Sequence, residues 1–341
     1  MHPNFAAFQS RLEPHRDKLW WLHSLYSLLL GVAMIWLGRV RFGYVRLVAI
    51  HIAFIWASSL LLPVILRHAR PPGPWGDRLR LVVNWFNRNF YQQILFFILP
   101  LYWASVTPGS ANMIFMAVLA ASAVLSTLDV VYDRQLSVRW YYLSVFFSFN
   151  LFASINVLLP VSWKIGNTAA LTVSALLAGA GYATFVLRLS DLARRQRWIL
   201  AGLGTLLLVG LLELGRPLVP PAPLRLQQAV FSLGFRPKTL RSVGPVAELP
   251  AGYTGRLYVL TAVTAPLGLE EKVRHRWFVD GEEMFASRNY AITGGRQEGY
   301  RLWTSLSLRE LPPEAAVRVD VVTQGGQLIG RASIRSRPAG P

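Results

Sequence analysis

The sequence predicts an α-helical polytopic membrane bundle of about seven spans, followed by a small all-β domain of immunoglobulin-like sandwich type. Three observations favour this fold class. Charged residues make up only 15% of the 341 positions, whereas about 25% is usual in soluble proteins. Long apolar runs dominate residues 19–216. From Gly255 onward, apolar and polar residues alternate at the spacing of β-strands.

Seven apolar segments in the first part of the chain are candidate membrane spans, because a helix needs about 20 apolar residues to cross a bilayer. They are residues 19–38, 44–66, 90–107, 111–131, 140–162, 168–187 and 198–215. The first segment is too long for a signal peptide and runs into Arg39 and Arg41 without a cleavage site of small residues. We therefore interpret it as a retained span.

The loop charges predict the orientation of the spans. Loops on the side of the N-terminus carry fourteen lysines and arginines, and the opposite loops carry four. The cytoplasmic side of a membrane protein carries this excess. We expect a cytoplasmic N-terminus and, after seven spans, a C-terminal domain on the outer side. The segment Arg39–Arg46 runs against this pattern.

Net charge and cysteine content exclude several classes of function. The net charge is +18, which is typical of some nucleic-acid-binding proteins. Here the charges lie mostly in short loops between apolar runs, so membrane orientation explains them better and no nucleic-acid partner is expected. The chain has no cysteine, which excludes disulfides, cysteine nucleophiles and thiolate metal sites.

Polar residues inside or near the predicted spans form a candidate intramembrane polar cluster, since such residues often mark functional sites. Its members are His51, Asp129, Asp133, Arg134, Asn150 and Asn156. The simpler interpretation is structural: hydrogen bonds between helices for the asparagines, a packed histidine at position 51, and an interfacial belt near the acidic pair.

The chain divides into a membrane domain and, after the last span, a linker and a β-domain. Residues 1–216 are assigned to the membrane domain, 217–254 to a linker and 255–341 to the β-domain. Four prolines in "PLVPPAPL", residues 217–224, predict a stiff spacer. Strand-like runs follow at 256–264, 271–279, 282–292, 299–308, 315–323 and 327–335.

The stretch "VRHRWFVDGEE", residues 273–283, predicts a β-hairpin because Asp280-Gly281 lies between alternating runs. Closing this turn pairs Trp277 with Met284 and places Arg276 opposite Phe285, a cation–π contact. It also puts His275 on the apolar face beside Trp277. We expect a structural histidine that bonds to backbone or to a neighbour such as Ser305. No metal or catalytic role is expected, since no other histidine follows residue 68 and no cysteine exists.

The end of the chain resembles the bacterial domain of unknown function 2914. The resemblance lies in "HRWFVDGEEM", "GYRLWTSLSL" and a final Gly-Gly hairpin. Five residues match its pattern, namely His275, Arg276, Trp277, Trp303 and Ser305. The preceding half resembles the membrane region called domain of unknown function 5924. This resemblance implies a bacterial inner-membrane protein with a C-terminal β-domain, and it implies no activity.

Three classes of function stay open. We favour a non-enzymatic envelope protein that displays a periplasmic β-domain for binding or sensing. The second class is a small-solute transporter or channel that uses spans two to five. The third is a membrane-embedded enzyme acting on lipid or glycan at Asp129, Asp133 and Arg134. No nucleotide, hydrolase or zinc-protease motif is present, so no catalytic residue and no cofactor is assigned.

Arginines of the β-domain predict its partner. Seven of them fall at positions expected to face outward: Arg274, Arg276, Arg288, Arg301, Arg318, Arg331 and Arg335. Anionic headgroups attract each nearby arginine by about 1 kcal/mol. Besides the bilayer itself, we therefore expect an anionic lipid or an acidic envelope polymer as partner, with solubility as the simpler explanation.

Overall fold

The structure is a computed structural model and describes residues 94–128, 139–190 and 192–338. The predicted spans 19–38 and 44–66 lie outside the described residues. So do four members of the candidate intramembrane polar cluster, namely His51, Asp129, Asp133 and Arg134.

Five helices precede the strands in the described part of the chain. They are α1 (Ile94–Trp103), α2 (Asn112–Thr127), α3 (Trp140–Trp163), α4 (Asn167–Leu189) and α5 (Arg194–Leu214). By length and composition, α3, α4 and α5 could each cross a membrane, whereas α1 and α2 are shorter. The structure thus contains three of the seven predicted spans as helices of sufficient length, and the count of seven stays a prediction.

The chain folds as two compact units. The first contains the described residues before Leu101, together with Ala117–Ser154 and Leu177–Leu207. The second contains Leu101–Met116, Ile155–Leu176 and everything from Leu208 onward. The second unit therefore combines ends of helices with all the strands.

Small residues let the helices of the first unit approach closely. The rings of Phe147 in α3 and Phe185 in α4 lie 4.5 Å apart between centroids. A Cβ atom at Gly181 would be 3.1 Å from the Phe147 ring, and one at Gly204 in α5 would be 2.3 Å from the Tyr182 ring. Such small-residue contacts are typical of helix packing in membranes.

Ten strands in the described part of the chain form an all-β sandwich of two sheets. They are β1 (Arg225–Arg236), β2 (Arg241–Pro245), β3 (Glu248–Leu249), β4 (Gly255–Thr264), β5 (Glu270–Val279), β6 (Glu282–Ala286), β7 (Tyr290–Thr293), β8 (Tyr300–Leu308), β9 (Ala316–Thr323) and β10 (Leu328–Ser336). Sheet A has the order β2-β1-β4-β8. Sheet B has the order β3-β10-β9-β5-β6, and β7 also pairs with β5.

Two apolar clusters fill the space between the sheets. Phe231 and Val259 of sheet A pack with Trp277 and Val319 of sheet B in the first cluster. The second cluster lies nearer the start of β5 and joins residues such as Val263 and Val273. Inward and outward residues alternate along much of β4, β5 and β8, because successive side chains of a strand point to opposite faces.

Residues 217–254, predicted as a linker, contain the strands β1, β2 and β3. Residues Leu226–Ser232 of β1 pair with β4, and the Phe231 side chain is buried between the sheets. The proline-rich segment before β1 is not an extended spacer either. It begins with a 3-10 turn at Arg216–Leu218, and its Ala222 and Leu224 side chains are fully buried.

The predicted β5–β6 hairpin forms, but its pairing differs from the prediction. Asp280 and Gly281 both have positive φ angles, +48° and +91°, as the two-residue turn requires. A β-bulge then shifts the register, so that Trp277 lies opposite Phe285 and Arg276 opposite Ala286. The predicted single strand 282–292 is two strands, β6 and β7.

Candidate functional site

The candidate site in the second unit is a set of hydrogen bonds that join helix ends to the sandwich, which we call the docking seam. Its residues are Asn112, Asn167, Thr168, Thr172, Arg216, Glu271, Gly325 and Gln327. The Asn112 side chain donates to the carbonyl of Leu328 at 3.4 Å, and that of Gln327 donates to the carbonyl of Val219 at 3.2 Å. The Asn167 side chain donates to the carbonyl of Ala222 at 2.8 Å. Asn112, Asn167, Glu271 and Gln327 are buried, so the sandwich is built onto the helix ends.

The first turn of α4 is the centre of the docking seam. Its Thr168 N–H donates to Glu271 Oε2 at 3.3 Å, and its Thr168 hydroxyl oxygen accepts from the Gly325 N–H at 3.2 Å. One turn later, the Thr172 hydroxyl accepts from Arg216 at 2.9 Å. Arg216 also donates to Glu213 at 2.5 Å, the local ion pair that their spacing of three residues favours.

Glu271 caps helix α4 from strand β5. The first four N–H groups of a helix have no partner within the helix, and the helix dipole makes that end positive. The carboxylate of Glu271 accepts from one of these groups and from the Lys272 N–H at 2.9 Å. Burial raises the pKa of Glu271, and the backbone N–H donors of Lys272, Thr168 and Asn167 partly offset that rise.

A cleft of about 600 Å³ opens beside Glu271 within the second unit. Gly166, Thr168 and Val173 line it on the helix side, and Glu270 and Lys272 line it on the strand side. Its volume is in the range of small-molecule sites. The surrounding side chains supply carboxylate, ammonium and hydroxyl groups. Within the described part of the chain, no group of three or more His, Cys, Asp or Glu residues could hold a metal ion.

The sequence indicates little of the docking seam. Thr168 and Thr172 look like ordinary residues of an apolar span, and Glu271 looks like one of two solvated acids at the start of a strand. The available signal was Glu271 itself, because its position in the alternation of β5 points inward with Val273 and His275. A carboxylate at an inward position predicts a buried partner.

His275 and Trp277 lie in a buried polar layer that joins the two sheets. His275 Nε2 is 2.8 Å from the Thr261 hydroxyl of β4, and His275 Nδ1 is 2.8 Å from the Thr304 hydroxyl of β8. The indole N–H of Trp277 donates to the same Thr304 hydroxyl oxygen at 2.8 Å. The layer separates the two apolar clusters. Ser305, the partner suggested by the sequence, is not the one that bonds to the imidazole, because it faces outward on β8.

One arrangement of protons satisfies the whole layer. The Thr261 hydroxyl donates to the carbonyl of Leu302 at 3.3 Å, so it accepts from His275 Nε2–H. The Thr304 hydroxyl, which accepts from Trp277, then donates to His275 Nδ1. A second proton on the ring would leave the Thr304 hydrogen without an acceptor in the layer. Accordingly, burial lowers the pKa of His275 to about 3.

The remaining residues of the predicted motif lie outside the buried layer, on the outer faces of the sheets or in the β5–β6 turn. Arg276 lies on the outer face of sheet B and forms an ion pair with Glu283. Its guanidinium lies 5.2 Å from the centre of the Phe278 ring, so the predicted cation–π contact with Phe285 is replaced by one with Phe278. Asp280 accepts from the Ala316 N–H at 2.8 Å. Trp303 lies on the outer face of sheet A.

Acidic residues neutralise several of the predicted outward-facing arginines. Arg331 donates twice to Asp320, at 2.7 and 3.0 Å, and Arg318 lies 3.4 Å from the same carboxylate. Arg301 forms an ion pair with Glu298. The outer face of sheet B is therefore less cationic than its arginines predict.

The two described members of the intramembrane polar cluster differ in their contacts. The Asn156 side chain donates to the Tyr102 hydroxyl at 3.0 Å, a bond between α3 and α1 within the second unit. Asn150 is buried, and neither atom of its amide group has a hydrogen-bond partner among the described residues. Among the described residues, the expected helix-to-helix hydrogen bond is therefore present at Asn156 and not seen at Asn150.

Comparisons with known proteins agree with the order of the two resemblances. The model of the family of unknown function DUF5924 matches residues 3–250, and that of the protein of unknown function DUF2914 matches residues 270–335. The crystal structure of an immunoglobulin-like protein from Pseudomonas aeruginosa is 13% identical with a TM-score of 0.21. That match covers 34% of this chain and 98% of that one. No curated protein matches the chain.

Proposed function

The chain belongs to the family of unknown function DUF5924, which assigns no activity, and we therefore propose a function from the docking seam. The protein is a non-enzymatic, multi-pass protein of the bacterial inner membrane. It holds its β-sandwich in the periplasm, fixed to the ends of its helices, for binding or sensing in the envelope. The observation that carries the proposal is the polar, partly buried contact between the first turn of α4 and the strands.

A fixed sandwich differs functionally from a tethered one. If the sandwich moved freely on a linker, a ligand bound to it would leave the helices unaffected. In the docking seam, β5 and the β9–β10 turn bond directly to the first turn of α4. A shift of either strand therefore changes the hydrogen bonds of a long apolar helix. This coupling supports a sensing role.

The surface of α5 supports a membrane location. Leu203, Leu206 and Leu214 are 62%, 72% and 83% exposed. A row of exposed leucines along a helix of 21 residues would be unfavourable in water and is favourable against lipid.

Cysteine labelling tests the location, because the natural chain has no cysteine to react. Arg335→Cys places a thiol on the exposed part of β10, and Arg195→Cys places one at the start of α5. In cells with a permeabilised outer membrane, a membrane-impermeant maleimide should label Arg335→Cys at once and Arg195→Cys only after lysis. The reverse pattern would refute the proposed orientation.

Disulfide formation tests the docking seam in the same cysteine-free chain. A Cβ atom at Gly325 would lie 2.9 Å from the Thr168 hydroxyl oxygen, a spacing that suits a disulfide between two cysteines at these positions. The pair Thr168→Cys and Gly325→Cys should crosslink under mild oxidation in membranes. The control pair Thr168→Cys and Gly281→Cys should not. Equal yields from both pairs would mean that the sandwich is mobile.

A second candidate function is transport of a small solute, and Asn150 favours it. A buried amide without a partner among the described residues is costly unless a ligand or water contacts it. Asn150→Cys should react with a small impermeant thiol reagent if a water-filled path reaches this position. If the thiol of Asn150→Cys does not react with the reagent until the protein is denatured, the transport function is refuted.

A further inference from the structure

One loop of the sandwich carries an exposed leucine at its tip. The β4–β5 loop, residues 265–269, turns at Leu267 and Gly268, where the Leu269 N–H donates to the carbonyl of Pro266 at 3.1 Å. Gly268 has a φ angle of +79°, which residues with a side chain rarely adopt. This turn leaves the Leu267 side chain 78% exposed.

The loop is held firmly on both sides of this leucine. The side chains of Ala265 and Leu269 are buried in the second apolar cluster of the sandwich. The Gly295 N–H donates to the carbonyl of Ala265 at 3.1 Å, and the Gly294 N–H donates to the carbonyl of Leu269 at 2.9 Å. With its neighbours fixed in this way, Leu267 stays outside the core and presents apolar surface whose exposure to water is unfavourable.

The same loop contacts the end of helix α3 through Lys164. A Cβ atom on Gly268 would lie 2.7 Å from Lys164 Nζ and 2.9 Å from its Cε, so the lysine side chain lies directly against the glycine. Lys164 follows Trp163, the last residue of α3, whose side chain is also exposed. A tryptophan, a lysine and an exposed leucine therefore lie together where α3 meets the sandwich.

With α3 across the bilayer, as proposed above, this group lies at the level of the lipid headgroups. The 24 residues of α3 span about 36 Å at 1.5 Å per residue, which exceeds the hydrocarbon core of about 30 Å. Tryptophan is enriched at the membrane–water interface, and lysine there extends its ammonium group towards the phosphates. The exposed Trp103 at the end of α1 fits the same interface.

We infer that the β4–β5 loop is a membrane anchor, with Leu267 inserted among the outer ends of the acyl chains and Lys164 at the lipid phosphates. The inference rests on the proposed function, because α3 must cross the bilayer for the loop to reach it. The sandwich is then fixed at two places. The docking seam joins it to the helix ends, and this loop joins it to the lipid.

A membrane suits this loop better than a protein partner does. A stable protein interface buries roughly 800 Å² on each side, far more than one leucine at the tip of a turn supplies. A bilayer needs no matching surface, and the apolar surface of the loop continues into that of α3 through Trp163. The ammonium group of Lys164 also has the charge that lipid phosphates attract.

The test places one fluorescent label in the full-length protein in nanodiscs, since the natural chain has no cysteine. Leu267→Cys carries the environment-sensitive label NBD at the loop tip. The matched control is Met284→Cys, at a side chain that is 58% exposed. Met284 lies beside Trp277 and Phe278, roughly 23 Å along β5 from Glu270.

A lipid with a nitroxide on its headgroup quenches labels that lie in the membrane interface. We expect this quenching to be at least about threefold stronger at Leu267→Cys than at Met284→Cys, because the interface is only about 5–8 Å deep. Iodide in the water should quench the two labels in the reverse order. Equal quenching at both positions overturns the inference.

Leu206→Cys separates this inference from the proposed function, because Leu206 is an exposed residue within α5. A nitroxide on the acyl chain should quench its label. If it does not, the membrane bundle is refuted and the anchor with it. If it does, and Leu267→Cys behaves like Met284→Cys, the anchor alone is overturned. Shielding of Leu267→Cys only in nanodiscs that hold two protein copies identifies a second copy as the occupant and also overturns the inference.

A second probe leaves the leucine in place. Glu270→Cys is exposed and lies three residues after the loop tip. Its quenching by the headgroup nitroxide should fall about twofold when Leu267→Glu is added, because a carboxylate is unfavourable among acyl chains. Leu267→Met keeps an apolar tip and should leave the quenching unchanged. Equal quenching with Leu267→Glu and Leu267→Met overturns the inference.

Discussion

The two sheets of the sandwich contain the same number of arginines and use them differently. Each has five, but the strands of sheet B also hold six acidic residues and those of sheet A hold none. In sheet B, Asp320 and Glu283 bind three of the arginines in ion pairs. In sheet A, Arg225, Arg236, Arg241 and Arg256 make no ion pair among the described residues.

This difference shows why a count of arginines does not locate an anion-binding surface. The alternation of sequence correctly places Arg276, Arg318 and Arg331 on an outer face. It does not show that Asp320 lies between them, since strand order decides which side chains become neighbours. The surface with free charge is the one whose neighbouring strands lack carboxylates.

Removal of the Asp320 charge should have the largest effect. Asp320→Asn leaves Arg331 and Arg318 without a counter-charge, while the side-chain position of Asp320 stays almost fully buried. Breaking a fully buried pair costs about 3–5 kcal/mol. Because both arginines keep part of their surface in water, we expect a loss of roughly 2–3 kcal/mol.

Urea unfolding of the full chain in micelles measures this loss, with native-state hydrogen exchange of β9 and β10 as the local readout. Ser333→Ala, on the same outer face, is the control and should change little. A loss below about 0.5 kcal/mol in Asp320→Asn would mean that the ion pairs of sheet B are as weak as ordinary surface pairs.

The sequence predicts local features of the sandwich well and its long-range pairing poorly. Asp280-Gly281 forms the expected turn because its two φ angles depend on these residues alone. The pairing after the turn fails at the bulge between Trp277 and Phe278, where packing of Trp277 between the sheets takes precedence over simple alternation. The strands within residues 217–254 do not show in the sequence for a related reason. The partner of β3, for example, lies in β10, far along the chain.

The same distinction applies to the candidate site. A structural role for His275 follows from its place beside Trp277 on an apolar face. Its hydrogen-bond partner does not follow, because Thr304 and Ser305 are consecutive residues of β8. The first points inward and the second outward, and the sequence alone does not show which of the two faces His275. The docking seam needs contacts between β5 and a helix more than one hundred residues earlier, and no spacing within the sequence indicates them.

The pH dependence of stability distinguishes the buried polar layer around His275 from the outer faces of the two sheets. The pKa of His275 falls from an ordinary value of 6.5 to about 3 in the folded chain. Below pH 6.5 the unfolded chain therefore binds a proton that the folded chain does not bind until the pH nears that lower value. The free energy of unfolding should fall by about 1.4 kcal/mol per pH unit in this window, or roughly 2 kcal/mol between pH 6.5 and pH 5.

Comparison with His275→Gln isolates this contribution. The variant keeps an amide near the Thr261 hydroxyl and has no titratable ring, so its stability at neutral pH should be lower but its slope between pH 6.5 and pH 5 should be flatter. Urea midpoints at four pH values measure both slopes. Equal slopes in the two proteins would mean that the ring is protonated in the fold and that the assigned proton arrangement is wrong.

The smallest effect is expected at the arginine pair of sheet A, and its sign is the informative part. Arg241→Gln removes a like charge opposite Arg236 on an exposed hairpin. Cross-strand pairs contribute about 0.2–1 kcal/mol, so the variant should be more stable than the natural chain by that amount at low salt. The gain should shrink at 1 M salt, where the Debye length falls to about 3 Å. Arg335→Gln is the matched control, because Arg335 lies between Ala316 of β9 and Glu248 of β3 and so faces no like charge across either strand pair. If Arg241→Gln instead destabilises the hairpin, the arginine contributes to folding, and repulsion between Arg236 and Arg241 does not limit the stability of the hairpin.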